Sequence, residues 1–239
     1  MIDTHAHLDA LDEDPADVVA RAREAGVTRI LTVGTAQAVE LADRFDDVYA
    51  VVGVHPHEAA TGDVDEIRRL QEHPKVVAVG EIGLDWYRDY APADAQRYMF
   101  ESQLGLAAEL GKPVVIHTRA ADDDTLAALS GFEGTVVLHC FSSPHLLPAA
   151  HERGWYVSFA GNVTYKNAPE LRIAATQVPV DRILAETDCP YLAPQPVRGK
   201  RNEPAYVMHT VAALALSRGE DAGELGEQVD RNATACFGL

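Results

Sequence analysis

Short runs of apolar and β-branched residues alternate with longer amphipathic or alanine-rich stretches along the whole chain. The short runs predict eight strands, at residues 2–7, 29–33, 49–54, 76–82, 113–118, 135–140, 155–159 and 182–187. The stretches between them place apolar residues at helical spacing, and further helical patterns follow the last strand. Because the runs are almost continuously apolar, they are typical of a parallel sheet that is buried on both faces.

Eight strand–helix units in 239 residues predict an α/β protein, a closed (β/α)8 TIM barrel that forms one domain over residues 1–239. A doubly wound open sheet is the alternative, but no glycine-rich phosphate loop follows the first strand. Gly26, Gly111 and Gly154 stand where helices are expected to end, since a left-handed residue is favoured there.

The first predicted strand carries two histidines, His5 and His7, one residue apart. Side chains alternate between the faces of a strand, so both imidazoles should point the same way and could hold one divalent metal ion. Taken alone, the pair is better explained by two packed or surface histidines near the start of the chain. The metal interpretation therefore needs partners elsewhere.

Such partners follow the other predicted strands. In a (β/α)8 barrel, the functional side chains gather at the carboxyl ends of the strands. Five further residues of the types that bind metals stand at those ends: His55, Glu81, His117, His139 and Asp188. One histidine closing a strand is usually a packing residue, but this recurrence predicts a metal centre. Cys140 and Cys189 each follow a candidate ligand directly, and strand alternation predicts that both thiols face away from the centre.

Four histidines (His5, His7, His117, His139) and two carboxylates exceed the three or four ligands of a single catalytic zinc. We therefore expect two divalent cations bridged by Glu81, one held by His5 and His7 and the other by His117 and His139. Asp188 would bind the first cation and accept a proton from the attacking water. Imidazole-rich ligation suits Zn²⁺ or Mn²⁺ better than Mg²⁺. Glu186, near Asp188, is expected to support a ligand instead of binding metal.

The chain is strongly acidic, with 37 Asp and Glu against 20 Lys and Arg and a net charge of −17. An acidic, lysine-poor surface is tolerated in molar salt, where the Debye length is about 3 Å, so the composition indicates a halophilic organism, such as a halophilic archaeon. Three cysteines without a spaced framework favour a reducing cytoplasm. No signal peptide or transmembrane run is visible, and nothing indicates an obligate protein partner.

The same residues carry a family resemblance. The stretch ETDCPYLAPQPVRGKRNEP, with DTHAHLD, GVHPHE, VGEIGLDWY, KPVVIHTRAA and VVLHCFS, resembles the TatD family of metal-dependent hydrolases. The resemblance implies a TIM barrel of the amidohydrolase type with a divalent-metal centre and deoxyribonuclease activity, often 3′-to-5′ exonucleolytic. The family's ligands then fall on His5, His7, Glu81, His117, His139 and Asp188. One departure is FSSPH at residues 141–145, where the family usually has Phe-Ser-Gly.

We therefore expect a DNA substrate, with RNA or tRNA as alternatives. Its phosphates would contact Arg119 and the loop cations Arg198, Lys200 and Arg201, Tyr191 could stack on bases, and His55 is expected to contact the substrate as well. The net charge opposes this, since a protein at −17 repels a polyanion and molar salt weakens phosphate contacts. Two alternatives remain open: a metal-dependent ester or amide hydrolase, such as a deacylase of misacylated tRNA, and a non-catalytic metal-binding scaffold.

Overall fold

The computed structural model describes residues 1–239, and its strands form one parallel, eight-stranded barrel in chain order. The strands are β1 Ile2–Ala6, β2 Arg29–Gly34, β3 Val48–Val52, β4 Val76–Asp85, β5 Val114–Arg119, β6 Val136–Leu138, β7 Tyr156–Phe159 and β8 Ile183–Ala185. Residues just beyond β1 and β8 close the barrel: the His7 amide donates to the Cys189 carbonyl (2.8 Å) and the Asp188 amide to the His5 carbonyl (2.9 Å). The predicted (β/α)8 barrel is confirmed.

Helices cover the outside of the barrel. They are α1 Pro15–Glu24, α2 Ala36–Arg44, α3 Val64–Leu70, α4 Ala93–Leu110, α5 Asp122–Leu129, α6 Leu147–Arg153, α7 Pro169–Gln177, α8 Val207–Arg218 and α9 Ala222–Phe237. Gly111 and Gly154 cap α4 and α6 in the left-handed conformation, as expected from the sequence. Gly26, also at positive φ, follows the last cap residue of α1. None of the helices combines the length and hydropathy needed to span a membrane.

Most strands differ by one to three residues from their predicted bounds, and the differences in β8 and β4 have a local cause. β8 ends at Ala185 instead of residue 187 because the Thr187 amide donates to the Asp3 carboxylate (2.9 Å) instead of a neighbouring strand. β4 continues past Glu81 to Asp85 and shifts its register against β5 between Gly80 and Ile82. Glu81 therefore lies within a strand, deep in the barrel mouth, and not at its end.

The side chains inside the barrel and those between barrel and helices form one continuous apolar core. Two of the few lysines stabilise it from the edge. Lys75 donates to the carbonyls of Ala42 and Val48, and Lys112 donates to those of Gln71 and Val76. These ammonium groups satisfy carbonyls at the amino-terminal side of the barrel, opposite the strand ends that carry the histidines.

Gly83 lets β4 approach β5 beside the predicted metal ligands, which leads to a first prediction. It pairs with His117 at a φ of 145°, and a Cβ there would lie 1.9 Å from the His117 carbonyl oxygen. We expect Gly83→Ala to lower the free energy of unfolding by about 3 kcal/mol, because two backbones must separate.

Gly105→Ala is the matched control, since Gly105 lies within α4 and a Cβ there meets nothing within 4 Å. It should leave stability unchanged or raise it by up to about 1 kcal/mol through helix propensity. Urea titration followed by circular dichroism measures both variants. Equal stability of the two variants would contradict the close-approach explanation.

Candidate metal centre

Glu81 is the geometric centre of the site, and its two carboxylate oxygens face two different groups of imidazoles. Oε2 lies 3.3 Å from Nε2 of His5, and Oε1 lies 2.6 Å from Nδ1 of His117 and 2.9 Å from Nε2 of His139. The side chain is buried among these rings. One carboxylate therefore belongs to both halves of the site, as expected of a bridging ligand.

The first group consists of His5, His7, Asp188 and Oε2 of Glu81. The Nε2 atoms of His5 and His7 are 3.3 Å apart, and Oδ1 of Asp188 lies 3.5 Å from Nε2 of His7. Two ligand atoms that each bind a tetrahedral zinc ion at 2.0–2.1 Å are about 3.3–3.4 Å apart, so the observed separations fit one shared ion. The other ring nitrogen of His5, Nδ1, is buried without a hydrogen-bond partner.

The second group consists of His117, His139 and Oε1 of Glu81, and His55 joins it. Nε2 of His55 lies 3.5 Å from that oxygen, and ligand atoms of His55, Glu81 and His117 lie within 4.8 Å of one another. The sequence assigned His55 to the substrate. In the structure it stands among the candidate ligands, because the chain turns inward at Pro56 after β3.

The electrostatics of the cluster suit cations. Burial raises the pKa of Glu81, but His139, His55 and His117 outweigh it and hold the pKa well below the usual range. Burial lowers the pKa of His139, yet Glu81 and Glu186 raise it well above its ordinary value. Anionic carboxylates thus favour the protonated forms of His7, His117 and His139, whereas burial lowers the pKa of His5, and a divalent cation would take the place of the held protons. The donor set fits a metal centre.

Asp188 remains a carboxylate in this setting. Burial raises its pKa, but the hydrogen bond with His7 and the charges of His139 and His5 bring the pKa below its ordinary value. Asp188 adopts a φ of 55° just beyond β8, which turns its carboxylate toward His7. An ionised carboxylate beside the histidines is able to accept a proton from water.

Buried polar groups hold the candidate ligands in place. Glu186 accepts from Nδ1 of His139 (3.0 Å) and from the hydroxyl of Ser158 (2.5 Å), which leaves Nε2 of His139 toward Glu81. Asp3 accepts from the Thr187 hydroxyl (2.6 Å) and from the Thr187 and His5 amides, and so joins the two segments that carry His5 and Asp188. Burial raises the pKa of Asp3 to about 8.

Sequence reasoning missed a second carboxylate–imidazole contact, formed by Asp85 and His57. Asp85, fully buried at the end of β4, lies 2.8 Å from Nε2 of His57 and 3.3 Å from Nε2 of His117. Burial raises the pKa of Asp85, but these two histidines outweigh it and hold the pKa far below its ordinary value. The signal was present: the same alternation that places Glu81 inside places Asp85 and Gly83 on its face.

A cavity of about 890 Å³ opens above the cluster. Its walls include three expected substrate-binding residues, Arg119, Tyr191 and His55. The guanidinium of Arg119 lies 4.0 Å from the ring centroid of Tyr87 and donates to no protein acceptor within hydrogen-bond distance. It is therefore held beside the cavity by an aromatic ring, with its donors free.

The loop cations lie outside these walls. Arg198 stacks on Tyr165, 3.9 Å from the ring centroid, and Lys200 is exposed. Arg201 pairs with Asp12 and donates to the Ala10 carbonyl. The structure therefore does not place these three side chains in the cavity wall with the histidines.

Cys140 corrects the argument from strand alternation. β6 ends at Leu138 and Cys140 has a φ of 45°, so alternation no longer applies to it, and the residue lines the cavity beside His139. Its thiol is a poor ligand all the same, since burial, followed by the negative charges of Asp188 and Glu186, raises its pKa well above the ordinary value. Cys189 is fully buried, as expected, and all three cysteines are free.

Comparison with known proteins gives one consistent answer. The "metal-dependent hydrolase YabD" of Bacillus subtilis is 38% identical over 99% of this chain and 98% of its own length. The "3'-5' ssDNA/RNA exonuclease TatD" of Erwinia tasmaniensis is 39% identical over 95% of both chains. The crystal structure of YjjV, a TatD homolog from Escherichia coli K12, superposes with a TM-score of 0.93 at 30% identity, covering 100% of this chain and 98% of the other.

The family model described as "TatD related DNase" matches residues 2–238, almost the entire barrel. The resemblance seen in the sequence motifs is therefore confirmed over the full length. The chain belongs to the TatD-related DNase family.

Proposed function

We propose that this protein is a metal-dependent hydrolase that cleaves phosphodiester bonds of single-stranded DNA or RNA, as a 3′-to-5′ exonuclease. The observation that carries the proposal is the shared Glu81 carboxylate between two imidazole groups, at the floor of an open cavity. Family membership and the name of the Erwinia relative support the nucleic-acid substrate.

In this proposal, His5, His7 and Asp188 hold one divalent cation, His117, His139 and His55 hold the other, and Glu81 binds both. Zn²⁺ or Mn²⁺ suits these ligands better than Mg²⁺. When bound, such a pair polarises the phosphate and lowers the pKa of water. Asp188 accepts the proton of the attacking water, and Glu186 keeps His139 in one tautomer.

Two arginines of the cavity wall favour a phosphate substrate. The guanidinium groups of Arg88 and Arg119 donate to no carboxylate or carbonyl of the protein, unlike those of Arg23 and Arg68, which form bidentate pairs with Asp47 and Glu109. In a chain of net charge −17, an unpaired guanidinium inside a cavity indicates that its anion comes from outside. These residues reverse the local charge where a polyanion would enter.

The direct test uses metal-loaded protein and a single-stranded oligonucleotide labelled at either end, in low and in molar salt. A 3′-to-5′ exonuclease releases a labelled mononucleotide at once from the 3′-labelled strand and a descending ladder from the 5′-labelled one. A parallel reaction contains misacylated tRNA. Release of the amino acid without any nucleotide product would overturn the nuclease assignment in favour of a deacylase. If the protein works in a halophilic cytoplasm, the enzyme should remain active in molar salt.

The role of Asp188 gives a second prediction. Asp188→Asn should lower kcat by about 10²–10⁴-fold, since the amide cannot accept the proton of water. Asp17→Asn removes the same charge from the exposed face of α1 and should leave kcat unchanged. Circular dichroism verifies that both variants are folded. Retention of more than about a tenth of the wild-type rate, a loss below about 1.4 kcal/mol, would contradict the assignment of Asp188 as the base.

The bridge gives a third prediction, on stoichiometry. Elemental analysis after reconstitution with excess Zn²⁺ or Mn²⁺ should find two ions per chain. The double variant His117→Ala, His139→Ala should retain one, because His5, His7 and Asp188 remain. A single ion in the wild-type protein, unchanged on titration, would rule out the bridged pair while leaving one metal site.

The loop of residues 198–201 gives a fourth prediction. If Arg198 and Lys200 contact the strand beyond the cavity, changing both to alanine should weaken DNA binding and flatten its log–log salt dependence by up to about 0.7 per lost contact. Arg231→Ala, on the outer face of α9, is the control. An unchanged salt slope would show that the loop cations do not contact phosphate.

A further inference from the structure

Two tyrosines line opposite sides of the cavity. Tyr90 lies in the loop between β4 and α4, and Tyr191 lies just beyond β8, on the opposite side of an eight-stranded barrel. Both line the cavity, yet 63% of Tyr90 and 58% of Tyr191 is exposed. Their hydroxyls form no hydrogen bond with the protein, so neither ring is held there by its polar end.

Each of the two tyrosine rings contacts a histidine ring and leaves at least one of its own faces uncovered. Tyr90 meets His57 at a centroid distance of 4.7 Å and an interplanar angle of 84°, and Tyr191 meets His7 at 6.0 Å and 70°. A perpendicular contact occupies at most one face of a ring. At least one face of each tyrosine is therefore available to a flat partner.

Buried polar groups fix the backbone beneath both rings. Asp85 accepts from the amides of Tyr87 and Arg88 (2.9 Å each), and Gln96 donates to the Ala91 carbonyl (3.0 Å). On the other wall, the buried Asn202 donates to the Tyr191 carbonyl (2.5 Å). The platforms are thus pre-organised, which reduces the conformational entropy lost on binding.

The surroundings point to a nucleic acid as the partner of these rings. Arg88 and Arg119, both without protein acceptors, share the cavity wall with Tyr90, and the candidate metal ligands lie on the floor between the tyrosines. Aromatic platforms combined with cations bind single strands without sequence preference, because every base has a π-face. A base within a duplex is stacked on both faces and paired with the opposite strand, so it cannot stack on a tyrosine of the cavity wall.

We propose that Tyr90 and Tyr191 form two opposed base-stacking platforms that hold the nucleobases on either side of the scissile phosphate. Two neighbouring bases are drawn apart onto opposite walls, so the cavity accepts only unpaired strands. The inference rests on the proposed nuclease function and adds Tyr90 as a substrate-binding residue that determines the preference for single strands.

The experiment compares Tyr90→Ala, Tyr90→Phe and, as the matched control, Tyr98→Ala, which removes an equally exposed tyrosine from the outer face of α4. Binding is measured with a single-stranded oligonucleotide that carries 2-aminopurine at its 3′ end, whose fluorescence is quenched when it stacks on an aromatic ring. Hydrolysis is measured on that strand, on the same strand with abasic residues at the two 3′ positions, and on bis-p-nitrophenyl phosphate, which has no base.

Tyr90→Ala should weaken binding of the intact strand about 5- to 150-fold and lose the quenching. Tyr90→Phe should stay within about threefold of wild type, because the ring remains, and Tyr98→Ala should match wild type. The loss of kcat/KM on the intact strand should exceed the losses on the abasic strand and on bis-p-nitrophenyl phosphate at least tenfold. Discrimination against duplex DNA should fall in Tyr90→Ala.

Equal losses on all three substrates would overturn the inference, since Tyr90 would then act by positioning His57. No loss on any substrate, with wild-type protein active on DNA, would also overturn it and leave the nuclease proposal standing. If wild-type protein hydrolyses bis-p-nitrophenyl phosphate but neither binds nor cleaves the oligonucleotide, the proposed function itself fails, and the base-stacking platforms with it.

Discussion

The structure depends on keeping one carboxylate, that of Glu81, ionised in the interior of the barrel. A buried charge costs several kcal/mol unless it is paired and hydrogen-bonded. His5, His117 and His139 supply that pairing from three different strands or strand ends. Because each imidazole comes from a separate part of the barrel, the site exists only when the barrel is closed. His7 and Asp188, which follow β1 and β8, meet in the same centre, so the centre is complete only in the closed barrel.

Three further buried acids surround the imidazoles. Glu186, Asp85 and Asp3 each contact the side chain or backbone of a candidate ligand histidine. Asp85 stays anionic beside these imidazoles, whereas burial raises the pKa of Asp3 to about 8. Lys75 and Lys112 satisfy carbonyls at the opposite end, so the barrel carries buried acids at one end and these two ammonium groups at the other.

Much of this was predictable from sequence because periodicity fixes which residues share an interior. Eight apolar runs gave the barrel, and the strand ends gave His117, His139 and Asp188. What periodicity could not supply are positions at which the chain leaves strand geometry. Asp188, Cys140 and Leu192 have left-handed φ values, so the direction of their side chains cannot be counted from the strand before them. The sequence predicts a substrate contact for His55 for a related reason. His55 lies in the turn before Pro56, and the position of a side chain in a turn cannot be inferred from strand periodicity.

Charged loops were the other limit. The sequence shows that residues 198–201 carry three cations, but it does not show which groups these cations contact. Arg201, for example, forms an ion pair with Asp12, which lies nearly two hundred residues earlier in the chain. In an acidic chain most guanidinium groups find a carboxylate or carbonyl within the protein, so an unpaired one carries more information than a cluster does. Arg88 and Arg119 combine an unpaired guanidinium with a place in the cavity wall, whereas the unpaired Arg198 and Lys200 lie outside that wall. A cation that binds an external anion is therefore better identified in this protein by its lack of a partner within the protein than by the number of positive charges near it in sequence.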